Sequence, residues 1–364
     1  MKIHRRNIKY KYHRIGAGII VFIAALSLVL VNLPRAQASQ LNKKYSFIKT
    51  NYTVPTSNVA WVAPNGNDTS GNGSEGSPYA TFKKALSSIS NGGTVVAKSG
   101  IYREPHFFIS GDNVTIQAAP GAEVWLKGSD VVNSWTSENG IWKTTGNYHN
   151  FCHVCTTNAN PSVEGTAAYP EQVFINDEPL KQVKTKAEVT PGSNTFYVED
   201  NTPTTLKTPN NNADGYNIGQ QDAISYYIGK NPASGVTEIS ERARAFTSTG
   251  KNVSVKGINV AQYSPVQVWG FKDPYDPAAE RGVYSGPTAV SINGSGSLVQ
   301  DMIVTQSASQ GLFFNKAESS TARGVKAIDN GGSGVGANKS HNTVFTNGEL
   351  YGNNAEGFLT IGCG

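Results

Sequence analysis

Three glycines late in the chain, Gly311, Gly334 and Gly357, stand 23 residues apart, and each opens a strand-like stretch in the same register: G-L-F-F-N, G-V-G-A-N and G-F-L-T-I. Leu312, Val335 and Phe358 align, as do Phe314, Ala337 and Thr360; Asn315 aligns with Asn338, and Lys316 with Lys339. Asn330 and Asn353 sit four residues ahead of their glycines, and Ala289, 22 residues before Gly311, starts a further copy, A-V-S-I-N. A repeat of this length that holds several short strand-like pieces predicts one turn of a parallel β-helix. Coils then stack, and equivalent residues form columns. Apolar columns fill the interior, while each amide in an asparagine column donates to the next oxygen along the stack. A β-sandwich also has short, regularly spaced strands, but it does not explain the longer period. Leucine-rich repeats need an L-x-x-L-x-L pattern that is absent here.

Composition agrees with a turn-rich β fold. The 364 residues include 38 Gly and 34 Asn but only two Met, which disfavours a helical bundle. Three cysteines are too few for a disulfide scaffold. The formal charge of +5 invites a nucleic-acid reading, but residues 1–38 hold seven basic residues and no acid, leaving −2 for the rest. No basic body for nucleic acid is implied.

That N-terminal segment is basic to Arg14, apolar from Ile15 to Leu33, and then reads Pro34, with Ala36-Gln37-Ala38 before Ser39. This pattern predicts a signal peptide over 1–38, cleaved after Ala38, and a secreted, extracellular body. An uncleaved anchor is the competing reading, and either is the only membrane contact expected. Residues 39–60 read as a linker. Residues 61–133 read as an N-terminal cap and first coils: short strands at Trp61–Ala63, Thr94–Ala97, Val114–Gln117 and Val124–Lys127, and an amphipathic helix within 79–89 placed to cover the open end of the stack. Residues 134–245 break the period and read as a β-rich insertion, with hairpins around Glu138-Asn139-Gly140 and Asn176-Asp177. Residues 246–364 return to coils, interrupted by a polar excursion from Lys272 to Pro287.

The stretches W-V-A-P-N-G-N-D, S-P-Y-A-T-F-K-K-A-L, G-G-T-V-V and G-I-Y-R-E, between Trp61 and Lys127, resemble the start of secreted right-handed parallel β-helix proteins. Farther on, A-I-D-N-G-G-S-G-V and H-N-T-V-F-T-N-G-E-L-Y-G-N-N-A-E-G-F are similar to the family-nine polysaccharide lyases, which include pectate lyases. The resemblance implies an all-β, right-handed parallel β-helix and Ca²⁺-assisted β-elimination on a pectate-like, uronate-containing polymer. In that family an Asn-Ala-Asp-Gly-Phe turn supplies an Asp to Ca²⁺, and the matching residue here is Glu356, in Asn354-Ala355-Glu356-Gly357-Phe358. The other Ca²⁺ carboxylates and the lysine base of the family lie in later coils and match nothing before Gly364. The chain is therefore expected to be an N-terminal fragment, and a monomer.

Ca²⁺ needs several oxygen ligands, usually with more than one carboxylate. Glu356 and, one coil back, Asp329 are the candidate metal ligands, each with a solvated or turn-bonded carboxylate as the plain alternative. Lys316 and Lys339 repel each other unless an anion or solvent lies between them, so a uronate-binding ladder is one reading and solvated turns the other. Arg281, with Tyr275 and Tyr284, offers a carbohydrate-facing rim, or an ordinary charged loop. Cys152-His153-Val154-Cys155 reads first as a local disulfide, Cys152 with Cys155; free thiols, or a metal pair helped by His149 and His153, remain open. No phosphate loop, nucleophile elbow or H-E-x-x-H motif is present. The expected partner is an extracellular acidic polysaccharide, which the protein either cleaves or, as a non-catalytic surface module, binds. A glycosidase or epimerase on the same fold is a third option, because the fold alone does not choose.

Overall fold

The computed structural model describes residues 41, 43–149, 151, 170–199, 224–265 and 288–362, with the backbone of strands Lys207–Pro209, Tyr216–Ile218, Phe271–Lys272 and Glu280–Arg281. The signal segment, Cys152, Cys155 and Cys363 lie outside the described residues. Among those described, no helix is long and apolar enough to cross a membrane.

The body is a right-handed parallel β-helix of three sheets. The first sheet stacks Val59–Val62, Thr94–Ala97, Thr115–Ala118, Ser254–Lys256, Leu298–Gln300, Thr321–Arg323 and Val344–Thr346. The second stacks Gly100–Tyr102, Val124–Lys127, Ile258–Ala261, Ile303–Thr305, Lys326–Ile328 and Glu349–Tyr351. The third stacks Phe107–Ile109, Phe246–Ser248, Thr288–Ile292, Gln310–Asn315, Val335–Asn338 and Phe358–Ile361. Each coil visits the sheets in that order, beginning with the coil at Thr94.

The interior is built from in-register columns. Val95, Ile116, Val255, Val299, Ala322 and Phe345 form one, and Phe107, Phe246, Val290, Leu312 and Val335 form another, which Phe358 continues in the last coil, where it is exposed. The corners explain the composition. The turn from first to second sheet is made by a single left-handed residue, Gly257, Asp301, Gly324 or Asn347, with φ of 67°, 51°, 64° and 53°. Gly, Asn and Asp are the residues that enter this region at least cost.

The helix Phe82–Ser88 closes the N-terminal end, as expected. Thr81 caps it by accepting from the Lys84 amide at 3.1 Å, and Phe82 is fully buried against Tyr102 and Phe107. The segment read as a linker is packed instead. Leu41 and Tyr45 are buried on the outer face of the second sheet against Trp125, Ala261, Ile303 and Ile328. The Tyr45 hydroxyl donates to Asp329, that of Tyr52 to Asp301, and Gln117 donates to the Thr53 carbonyl. This strap crosses the coils from the fifth back to the second. Polar spacing hid it because its few apolar residues follow no period.

The insertion leaves the stack after Lys127 and rejoins it at Phe246, so it starts before residue 134. It holds a five-stranded and a four-stranded sheet around Val173, Phe196, Ile224, Tyr226 and Ile239. Both expected hairpins are present, with Asn139, Asn176 and Asp177 left-handed. The polar excursion leaves from the same corner, one coil later, and carries a short antiparallel backbone pair, Phe271–Lys272 with Glu280–Arg281. Both excursions therefore emerge between the second and third sheets.

Candidate functional site

The corner that releases both excursions gathers the buried charges. Lys127, the last residue of its second-sheet strand, points outward into the insertion. Its ammonium donates to Asp177 Oδ1 and Glu238 Oε2, both at 2.6 Å, and all three residues are buried. Arg103 completes the network on Glu238 Oε1 and on the Ser129 carbonyl. Gln262 and Gln306, at the matching corner of the next two coils, both bind Asp177, through its side chain and its carbonyl at 3.0 and 2.7 Å. Burial works against ionised Glu238, but Lys127 and Arg103 outweigh it and hold its carboxyl below the usual range. Burial raises Asp177 despite Lys127. The charges are matched and the donors satisfied, so this cluster anchors the insertion and leaves no group for chemistry.

Beside it the balance differs. Glu241, on the run that returns to the third sheet, accepts one hydrogen bond, from the His149 amide at 2.8 Å. Its other oxygen, Oε1, is buried with no hydrogen-bond partner among the described residues. Burial pushes this carboxyl up to about 7; nearby Asp130 adds to the rise, while His149 and Arg242 oppose it. Asp130 itself is held by a two-pronged pair with Arg242, at 2.9 and 3.1 Å. The Arg242 carbonyl is fixed in turn by the Ser264 amide at 2.9 Å, and Gln172 braces Tyr263 and Ser264. A proton-holding carboxyl thus stands near an arginine-held carboxylate, which is the arrangement that separates an acid from a base in one site.

From Arg244, just past Glu241, a polar column enters the third sheet and runs along the axis: Thr288, Gln310, Ser333 and Glu356 hold equivalent positions in successive coils. Gln310 Oε1 and the neighbouring Ser309 hydroxyl are buried without partners among the described residues. Glu356 ends the column, exposed, and accepts from the Ser333 hydroxyl at 2.9 Å.

Asp329 lies at the other end of that turn. It is left-handed (φ 55°), exposed, and accepts from the Tyr45 hydroxyl at 3.2 Å. Glu356 and Asp329 are therefore engaged separately, at opposite ends of the turn, with Asp329 in the column of Gly352. No group of three or more His, Cys, Asp or Glu side chains among the described residues could hold a metal ion. This donor set does not fit Ca²⁺, which takes six to eight oxygens. Lys316 and Lys339 are brought together as expected, exposed and one coil apart, next to an Asn338–Asn315 amide ladder of 2.9 Å. Arg281 is placed by its backbone only, paired with Phe271. Tyr275 and Tyr284, like Cys152 and Cys155, lie outside the described residues.

Sequence reasoning missed Glu241, Asp130 and Arg242. The signal was the dense charge of E-I-S-E-R-A-R-A-F at 238–246, where an insertion re-enters a core.

No protein-family model matches the chain, and no curated protein matches it in sequence. Solved structures do. The chain is similar to XylC, solved in complex with xylose, with a TM-score of 0.55 and 13% identity over 81% of this chain and 61% of that one. A glycoside hydrolase matches with a TM-score of 0.48 and 14% identity over 77% and 67% of the two chains. The pectate lyase Pel9A matches with 0.40 and 13% over 81% and 48%. This chain thus spans 61% of the length of XylC. At 13% identity the likeness to XylC bears on the fold alone, a parallel β-helix.

Proposed function

We propose that this protein cleaves glycosidic bonds in an extended polysaccharide, with Glu241 as the proton donor. The observation that carries this reading is the Glu241 carboxyl: pushed up to about 7, with one oxygen unpartnered among the described residues, at the head of a polar column that follows the stack. Such a carboxyl keeps its proton well above the ordinary carboxylate range and suits general acid catalysis. Its proton goes to the bridging oxygen as the bond from that oxygen to the sugar carbon breaks. Water supplies the new oxygen on that carbon, and its proton goes to Asp130, which Arg242 orients. The structure of XylC was solved in complex with xylose, and a sugar polymer fits this reading.

The pectate-like resemblance around Glu356, and the paired lysines, favour a second reading: β-elimination on a uronate polymer, in which Asp130 takes the proton from the carbon beside the uronate carboxylate, a carbon–carbon double bond forms, and Glu241 protonates the leaving oxygen as its bond to the neighbouring carbon breaks. The calcium-assisted form of that reaction rests on the resemblance. Secretion with cleavage after Ala38 belongs to both readings, and the N-terminal mass of the exported protein tests it.

The reactions are separated by incubating the whole chain with xylan and with polygalacturonate, with and without chelator. Hydrolysis yields reducing ends without ultraviolet absorbance; elimination yields the absorbing unsaturated uronate. Glu241→Gln is expected to cut the yield of either product by about two to four orders of magnitude. Turnover that survives Glu241→Gln at the wild-type rate, or no product from either polymer, overturns the proposal.

A further inference from the structure

Lys316 and Lys339 occupy equivalent places in adjacent coils, both with left-handed backbone, at φ 56° and 47°. The next coil fills that place with Gly362, at φ 55°. Glycine is the residue this turn geometry selects, because it alone adopts positive φ without a Cβ penalty. Two successive lysines therefore run against the backbone. They also run against electrostatics, since neighbouring strands lie about 4.8 Å apart and stack the two ammonium-bearing residues directly over one another.

The backbone amides of both are held in the stack, Lys316 on the Asn338 carbonyl at 2.8 Å and Lys339 on the Ile361 carbonyl at 2.9 Å, but no such bond offsets the stacked charge. Both lysines are exposed, and neither makes an ion pair or side-chain hydrogen bond among the described residues. The Asn315–Asn338 ladder precedes them, and Glu318 and His341 follow two residues on in the same two turns. A residue that opposes local preference, and has no side-chain partner among the described residues, points to a role toward something outside.

We infer that Lys316 and Lys339 form a binding step for the carboxylates of an acidic polysaccharide. An ammonium on a flexible stem is a point charge rather than a planar fork. It therefore suits a string of evenly repeated carboxylates better than one fixed anion. The pair sits at the far end of the third-sheet strands from Glu241, so it holds the polymer without touching the reacting bond. This inference rests on the polysaccharide reading and names the charge of the substrate.

The test is binding of the whole chain to polygalacturonate, with xylan as the neutral control, using Lys316→Gly, Lys339→Gly and the double variant. The double variant is expected to bind polygalacturonate about tenfold more weakly, to lose most of the salt dependence, and to bind xylan unchanged. Its melting temperature is expected to hold or rise, because glycine relaxes both turns. Wild-type affinity for polygalacturonate in the double variant overturns the inference. So does an equal loss on both polymers with a lower melting temperature, which marks a structural role. Binding is read without turnover, so a chain that cleaves nothing yet binds through these lysines loses the catalytic proposal and keeps this one. A chain that cleaves, but binds equally well without them, does the reverse.

Discussion

At the scale of single residues, Glu241 and Glu104 make the same physical point in two settings. Burial raises both carboxyls to about 7. Glu104 spends its oxygens on the amides of Phe82 and Lys83, at 3.0 and 3.4 Å, and so serves the cap helix. Glu241 keeps an oxygen unpartnered among the described residues. Glu241→Gln should lower turnover by about two to four orders of magnitude while the fold persists. The pH dependence of stability follows from the direction of the shifts. A folded carboxyl that titrates near 7 binds its proton more tightly than the unfolded chain does, near 4.3. Stability from these groups is therefore full at low pH and is lost as pH rises through 7. Thermal melts between pH 4.5 and 8 should show that fall, and the Glu104→Gln and Glu241→Gln double variant should flatten it; an unchanged slope contradicts the assignment. Gly352 carries a different constraint. It is left-handed (φ 67°), and an added Cβ would lie 2.1 Å from Asp329 Oδ1. Gly352→Ala is expected to cost about 1–3 kcal/mol in denaturant unfolding.

At the scale of elements, the insertion is held by charge as well as by apolar packing. Lys127→Met leaves Asp177 and Glu238 buried without their common partner, and should cost about 3–5 kcal/mol. The measurable sign is early proteolysis within 128–245 while the coils from Leu298 onward stay protected. These elements also mark where a sequence can and cannot be read. Stacking forces equal spacing on Leu312, Val335 and Phe358, so their period survives in one dimension. The hairpin at Asn176-Asp177 was legible because two successive left-handed residues demand that chemistry. Glu241 was not legible, because its meaning comes from Asp130 and His149, which are remote in sequence and brought close only by the return of the insertion. The separate positions of Glu356 and Asp329 were equally hidden, since only the turn geometry places them at opposite ends.

At the scale of the whole molecule, a solenoid in which each coil touches only its neighbours unfolds by fraying from its ends. Two features here join coils that are not adjacent. The strap ties the second coil to the fourth and fifth through Gln117, Asp301 and Asp329. Asp177 joins Lys127, Gln262 and Gln306 across three coils. Removing residues 39–53 should turn a single thermal transition into a broad or stepped one, with amide exchange rising first in the coils beyond Leu298. A sharp single transition in the truncated protein contradicts this role for the strap. Mechanically, the strap is a diagonal brace on a stacked column. A load drawn along the axis passes partly through Tyr45 and Tyr52 instead of prising the coils apart one ladder at a time.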